Sequence, residues 1–334
     1  MIEVNNLVKN YGKYQAVKDI SFKVEDGEVL GFLGPNGAGK STTMNIITGY
    51  ISATSGEVKI GGYDILKNPS EAKKRIGYLP EIPPVYIDMT VTEYLTFVAD
   101  LKGVKKAEVK SMLTDIMEKI KITHVSGKLI KNLSKGYRQR VGLAQAMVGY
   151  PDVLILDEPT VGLDPKQIIE IRDVIHELGK THTIILSSHI LSEISAVCNR
   201  VMIINKGQIV ASDSPDGLSA KLSQNRYRAR LKGNENAVLE AFKANEGVAV
   251  AIITQSDEEG TCDILLESAE GYDIRKIAFE VAVKNNFVLL LMKSEKMSLE
   301  DVFLQVTENE PVAEEKTEAE ADENKEEAPK EAEE

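Results

Sequence analysis

The residues best suited to do chemistry form one stretch, Gly34-Pro35-Asn36-Gly37-Ala38-Gly39-Lys40-Ser41-Thr42, directly after the apolar run Val29-Leu30-Gly31-Phe32-Leu33. The stretch fits the pattern G-x-x-x-x-G-K-[ST], and its surroundings read as the strand, glycine-rich loop and helix that this pattern requires. Phosphate oxygens need several donors converging from one side. Glycines allow backbone angles that turn consecutive N–H groups inward over a helix N-terminus. In such a P-loop Lys40 reaches the β- and γ-phosphates and Ser41 offers its hydroxyl to Mg²⁺.

A second set of polar residues follows two further apolar runs. Val153-Leu154-Ile155-Leu156 reads as a wholly buried strand that delivers Asp157-Glu158 at its C-terminal end. In open α/β sheets that edge is where ligands sit. Asp157 is placed to hold Mg²⁺, directly or through water, and Glu158 to polarise an attacking water. Thr183 to Leu186 reads as the last buried strand and leads through Ser187-Ser188 to His189, again at a strand end. His124, His176 and His182 lack such a context and read as packing residues.

Upstream, Leu133-Ser134-Lys135-Gly136-Tyr137-Arg138-Gln139-Arg140 runs into a helix marked by Val141, Leu143, Ala144, Ala146, Met147 and Val148. Ser134 stands where it can cap that helix, and Gly136 keeps the backbone open at the positive end. A hydroxyl and free N–H groups at a helix N-terminus make a second place for phosphate. Taken alone, this stretch is equally a capped helix.

The elements that must position these groups are legible around them. Ile2 to Val8 and Ala16 to Val24 have strand character, with Tyr11-Gly12-Lys13-Tyr14 as a loop between them. Gly49 ends the P-loop helix, and Gly56 to Ile60 and Arg75 to Leu79 read as further strands. Glu81-Ile82-Pro83-Pro84 forces an irregular loop, because two prolines exclude a continuing ladder. From Thr90 to about Ile122 the pattern is helical, broken at Gly103, and Thr90-Val91-Thr92-Glu93 is a capping box.

Composition bounds the rest. The chain has 334 residues, 43% hydrophobic and 28% charged, as in an ordinary globular protein of about two domains. It shows neither an apolar run long enough to span a bilayer nor a leader-like start, which predicts a cytosolic protein. Cys198 and Cys262 lack metal-ligand spacing and read as reduced packing residues. The net charge is −12, but Glu308 to Glu334 holds thirteen acidic and three basic residues, which accounts for ten of those charges. The remainder is nearly neutral and gives no support for a nucleic-acid surface. The acidic tail has almost no large apolar side chain and is expected to be disordered.

With P-loop, Leu-Ser-x-Gly and Asp-Glu in this order, residues 1–215 closely resemble the ATP-binding subunits of ABC transporters. The resemblance implies an α/β P-loop ATPase domain with a helical insert at about 85–135. It also implies that two such domains, here a homodimer, pair head to tail, each ATP lying between one P-loop and the other subunit's Leu133 to Tyr137. Carried over residue by residue, Tyr11 stacks on adenine, and Gly34, Asn36, Gly37, Gly39, Lys40, Ser41 and Thr42 hold phosphate and Mg²⁺. Asp157 serves the metal, Glu158 the water, Asp164 communication across the dimer, and His189 the γ-phosphate.

Two positions depart from the family pattern. The signature reads Leu-Ser-Lys-Gly-Tyr where Leu-Ser-Gly-Gly-Gln is commonest, while Ser134 and Gly136 are kept. The loop after Gly77-Tyr78-Leu79-Pro80 carries Glu81 where a glutamine is usual; a carboxylate there is still a possible Mg²⁺ or water ligand but faces the γ-phosphate's charge. Together with Pro83-Pro84 and Met89-Thr90-Val91, this stretch resembles the exporter branch that includes multidrug, antibiotic-resistance and gliding-motility ATPases. Membrane-spanning permease partners and a peripheral place on the inner face of the membrane are implied.

Beyond Pro215 the order reads strand 226–231, helix 236–244, strand 248–254, strand 262–266, helix 272–284 and strand 287–292. That is a small α+β, ferredoxin-like domain over 216–307, closed by a short helix Ser298 to Val306 and followed by the acidic tail. It carries no catalytic constellation; regulation, dimer contact or plain stabilisation are its open roles. The chain is thus expected to be an ATPase driving an exporter. Its rivals are an ABC-type ATPase acting on ribosomes or nucleic acid, and a nucleotide-dependent switch with little turnover.

Overall fold

Ile2, Val4 and Leu7, then Val17, Ile20 and Val24, turn to one side and are buried, which makes β1 (Ile2–Tyr11) and β2 (Tyr14–Val24) an antiparallel hairpin. The computed structural model describes residues 1–188, 190–222, 226–258, 260–269, 271–295 and 298–308. His189 and the acidic segment 309–334, with the expectations attached to them, lie outside the described residues.

After β3 (Val29–Leu33) and α1 (Lys40–Ile47), β4 (Ser55–Ile60) pairs with the free edge of β1, and β5 (Tyr63–Asp64) pairs with β4. This sheet runs β2-β1-β4-β5. A short helix α2 (Pro69–Lys74) leads to β6 (Ile76–Leu79). The helical segment divides as the sequence predicts: α3 (Val91–Leu101) is capped by Thr90 and Glu93 in a reciprocal box, and Gly103 at φ +71° turns the chain before α4 (Lys106–Lys119).

Then follow α5 (Lys135–Met147), β7 (Val153–Asp157), α6 (Pro165–Gly179), β8 (Thr183–Ser187), α7 (Leu191–Val197), β9 (Arg200–Asn205), β10 (Gln208–Asp213) and α8 (Pro215–Leu222). The second sheet runs β10-β9-β3-β8-β7-β6, parallel except for β10. Thr183–Ser187 is therefore not the last buried strand. β9 lies on the far side of β3 with Val201 to Ile204 buried, because its alternating side chains complete both layers of the core.

The parallel strands are apolar throughout because they divide two cores. Leu30, Phe32, Val153 and Ile155 face a layer against the antiparallel sheet, whereas Val29, Leu33, Leu154 and Leu156 face the helices. Gly77 in β6 is required by packing, since a Cβ there would lie 2.2 Å from the Ala146 carbonyl oxygen of α5.

The C-terminal part comprises β11 (Arg226–Lys232), α9 (Glu235–Lys243), β12 (Val248–Thr254), β13 (Cys262–Ser268), α10 (Ile274–Lys284), β14 (Val288–Ser294) and α11 (Leu299–Glu308). Its antiparallel sheet runs β12-β13-β11-β14 over a separate core containing Leu231, Phe242, Ile264 and Ala278. Helix α11 does not close that core. Leu299 and Val302 are buried instead with Leu218 of α8 and Ile194 and Val197 of α7 in the first core.

Candidate functional site

The register of the parallel sheet brings the chemistry to one edge. Phe32 of β3 and Asp157 of β7 both pair with Ser187 of β8, and Leu79 of β6 pairs with Leu156. The loops leaving β3, β7 and β6 therefore emerge side by side, carrying the P-loop, Asp157-Glu158 and Glu81.

They surround a cavity of about 490 Å³ walled by Tyr11, Tyr14, Asn36, Lys40, Glu81 and Glu158 among others. Gly37, Gly39, Ser41 and Thr42 line it as well. Gly39 caps α1 at φ +107°, and a Cβ there would lie 2.7 Å from the Ala16 carbonyl oxygen; one at Gly34 would lie 2.4 Å from that of Ile204. Only glycine lets the loop pass so close to β2 and β9.

Lys40 is buried, and its Nζ donates to the carbonyl oxygens of Gly34 at 2.6 Å and Pro35 at 3.2 Å. Burial holds its pKa below the usual lysine value, opposed by the charges of Glu158 and Asp157. Asp157 is 6% exposed and accepts a hydrogen bond from Ser187 Oγ at 2.6 Å. Its carboxyl sits above the ordinary range because of burial; the charge of Glu158 adds to that, and the Ser187 hydrogen bond and the nearby Ser41 hydroxyl oppose it.

Glu158 adopts φ +49°, a strained angle for a residue with a Cβ. Its N–H donates to the same Ser187 Oγ at 2.9 Å, which helps to fix this turn. Tyr11 is half exposed at the mouth of the cavity, with Lys9 Nζ 5.2 Å from its ring centre. Tyr14 closes the hairpin beside it and donates to Gly37 O at 3.3 Å.

The signature residues are elsewhere. Ser134 caps α5 by accepting from the Tyr137 N–H at 3.4 Å, and Asp164 caps α6 by accepting from the Gln167 N–H at 2.9 Å. The Gln167 side chain lies over Gly136, so close that a Cβ there would meet its Oε1 at 2.4 Å. Ser134, Gly136 and Asp164 thus gather at two adjacent helix N-termini, and none of them lines the P-loop cavity.

Sequence reasoning passed over Ser187 and Tyr78. Ser187 holds both ends of the Asp157-Glu158 pair; its only signal was its place at a strand end. Tyr78 donates to Asn45 Oδ1 at 3.3 Å, and burial, with the nearby Asp157 charge, pushes its phenol up to about 12. Among the described residues no helix is long and apolar enough to cross a membrane.

The family model described as ABC transporter matches residues 17–161. The bacitracin transport ATP-binding protein BcrA of Bacillus licheniformis is 34% identical over 302 residues, covering 87% of this chain and 97% of that protein. The linearmycin resistance ATP-binding protein LnrL of Bacillus subtilis (strain 168) is 32% identical over 316 residues, covering 92% and 98%. A solved ATP binding subunit of an ABC transporter shares 30% identity at a TM-score of 0.61, covering 66% of this chain and 93% of that one.

Proposed function

The chain belongs to the ABC transporter family of ATP-binding proteins, and on that premise we propose that it binds and hydrolyses MgATP as a head-to-tail dimer driving a membrane export complex. One observation carries the reading: the P-loop cavity has a wall of Lys40, Glu81 and Glu158, while Ser134 and Gly136, the other phosphate-binding elements, do not line it. Such a half-site is completed when a second copy presents its α5 N-terminus.

Within each half, the P-loop N–H groups and Lys40 hold the phosphates, and Tyr11 meets the base. Glu158 orients the attacking water and accepts its proton. Asp164, at the start of α6 beside Gly136, relays the state of one site to the other. His189 follows Ser188 in sequence and serves the γ-phosphate in this scheme.

The donor set fits Mg²⁺. Ser41 and Asp157 offer hard oxygens near each other, and Glu81 lines the same cavity. Mg²⁺ in such sites is held through one or two carboxylates, which these groups can provide, together with substrate phosphate. Held by Ser41 and Asp157, a Mg²⁺ ion would supply positive charge to offset the charge of the triphosphate. Glu81 is a further oxygen donor on this ion or on water.

The export role rests on the branch resemblance and on the names of the two relatives, which refer to bacitracin transport and linearmycin resistance. The partners are then integral-membrane permease subunits, which place this chain on the cytoplasmic face. The C-terminal α+β part, over about 216–307, is read as a ferredoxin-like accessory domain.

The test is turnover by the purified chain. Wild type hydrolyses ATP, whereas Glu158→Gln retains ATP binding and loses roughly 10²–10⁴-fold in kcat, the range for removing a positioned base. Near-normal turnover in that variant removes Glu158 from its role. Absence of turnover in wild type, alone and with its membrane partner, removes the enzymatic reading.

A further inference from the structure

Glu193, in the first turn of α7, is 7% exposed and uses one oxygen for two hydroxyl groups. Its Oε2 accepts from Thr160 Oγ1 at 2.6 Å and from Ser188 Oγ at 3.2 Å. Both partners are themselves buried, Thr160 at 4% and Ser188 at 1% exposure. The other oxygen, Oε1, is buried and accepts no hydrogen bond among the described residues.

The two partners belong to different functional loops. Thr160 lies two residues after Glu158 and opens the turn to Asp164, its carbonyl accepting the Leu163 N–H at 3.2 Å. Ser188 ends the β8 edge and accepts the Ile190 N–H at 3.0 Å. A buried carboxylate with one oxygen unpartnered is destabilising compared with an apolar side chain of that shape. Packing alone therefore does not account for it.

We propose that Glu193 is a positioning residue for ATP hydrolysis, tying the Glu158–Asp164 loop to the end of β8 so that the two move as one unit when the dimer closes. The inference rests on the ATPase reading above. It assigns to Glu193 no contact with nucleotide, and Glu193 does not line the P-loop cavity. Its loss therefore reaches the chemical step and not nucleotide capture.

The experiment is a double-mutant cycle on full-length protein, with Glu193→Ala, Thr160→Val and the pair, read as kcat and KM for ATP below the melting temperature of each variant. Each single change lowers kcat by about 10–100-fold, the scale of a small misplacement of catalytic groups, with KM within about twofold of wild type. The double variant is no worse than the worse single one, because both remove the same link. Thr160→Ser, which keeps the hydroxyl, restores near wild-type kcat.

Unchanged kcat in a folded single variant overturns the proposal, as do losses that multiply in the double variant or a rise in KM alone. Should Glu193→Ala not fold, Thr160→Val decides, since it leaves the carboxylate in place. Wild type and Glu158→Gln are assayed alongside. If wild type does not turn over, the ATPase reading fails, and the Glu193 assignment falls with it; if it does, the cycle tests Glu193 by itself.

Discussion

Ser187 Oγ donates to Asp157 Oδ1 at 2.6 Å, across a gap of thirty residues in the chain, and the same oxygen receives the Glu158 N–H at 2.9 Å. One hydroxyl from β8 therefore sets both the orientation of Asp157 and the left-handed backbone of Glu158. Ser187→Ala leaves the Glu158 N–H without this acceptor and Asp157 without this donor. The expected result is a loss of about 1–3 kcal/mol in unfolding free energy and roughly tenfold in kcat. Urea unfolding and steady-state turnover check this; no change in either contradicts it.

The buried position of Asp157 has a pH consequence. Its folded-state pKa is raised above the unfolded value, chiefly by burial. Between those values the native state holds a proton that the unfolded state has lost, so this group's contribution to stability falls as pH rises through the window. Asp157→Asn is therefore expected to melt higher than wild type at neutral pH without nucleotide, with the advantage vanishing below about pH 4, where the unfolded carboxyl is also protonated. MgATP should raise the wild-type melting temperature more than that of the variant. Thermal melts across pH show both effects, and an advantage that grows on acidification runs against this account.

Glu81 stands where the family pattern has glutamine, in the same cavity as Glu158. Glu81→Gln is expected to keep substantial ATPase activity, since an amide still orients water and removes repulsion of the γ-phosphate. Turnover of this variant and Glu158→Gln at saturating Mg²⁺ separates the two carboxylates. Equal losses would mean that the Glu81 charge itself is needed.

What the sequence made legible was local or covalently linked. The P-loop needs its glycines in one unbroken stretch, Thr90 and Glu93 are one helical turn apart, and Asp157-Glu158 follows directly from an apolar strand. The α+β order after Pro215 was legible for the same reason, through alternation and helical periodicity. Contacts between remote residues were not. Ser187 with Asp157 and Glu193 with Thr160 join segments about thirty residues apart, and only the strand order β3-β8-β7 makes them neighbours. The placement of β9 beyond β3, and of α11 on α7 and α8, is likewise a matter of topology that no spacing along the chain reveals.

The central claim is that each active site is shared between two chains, and mixing two inactive proteins tests it most directly. Lys40→Ala disables the P-loop, and Ser134→Arg blocks the signature; each pure homodimer should be inactive. In a head-to-tail mixed dimer one site joins both lesions, and the other joins an intact P-loop with an intact signature. Equal mixing with random exchange, verified with differently tagged chains, should restore roughly a quarter of wild-type turnover if the two sites act independently. A tethered dimer with both lesions on one chain should stay inactive, since each of its sites then carries a lesion. Activity in that tethered dimer would contradict the shared site, because it would show that the unmutated chain completes a site from its own P-loop and signature.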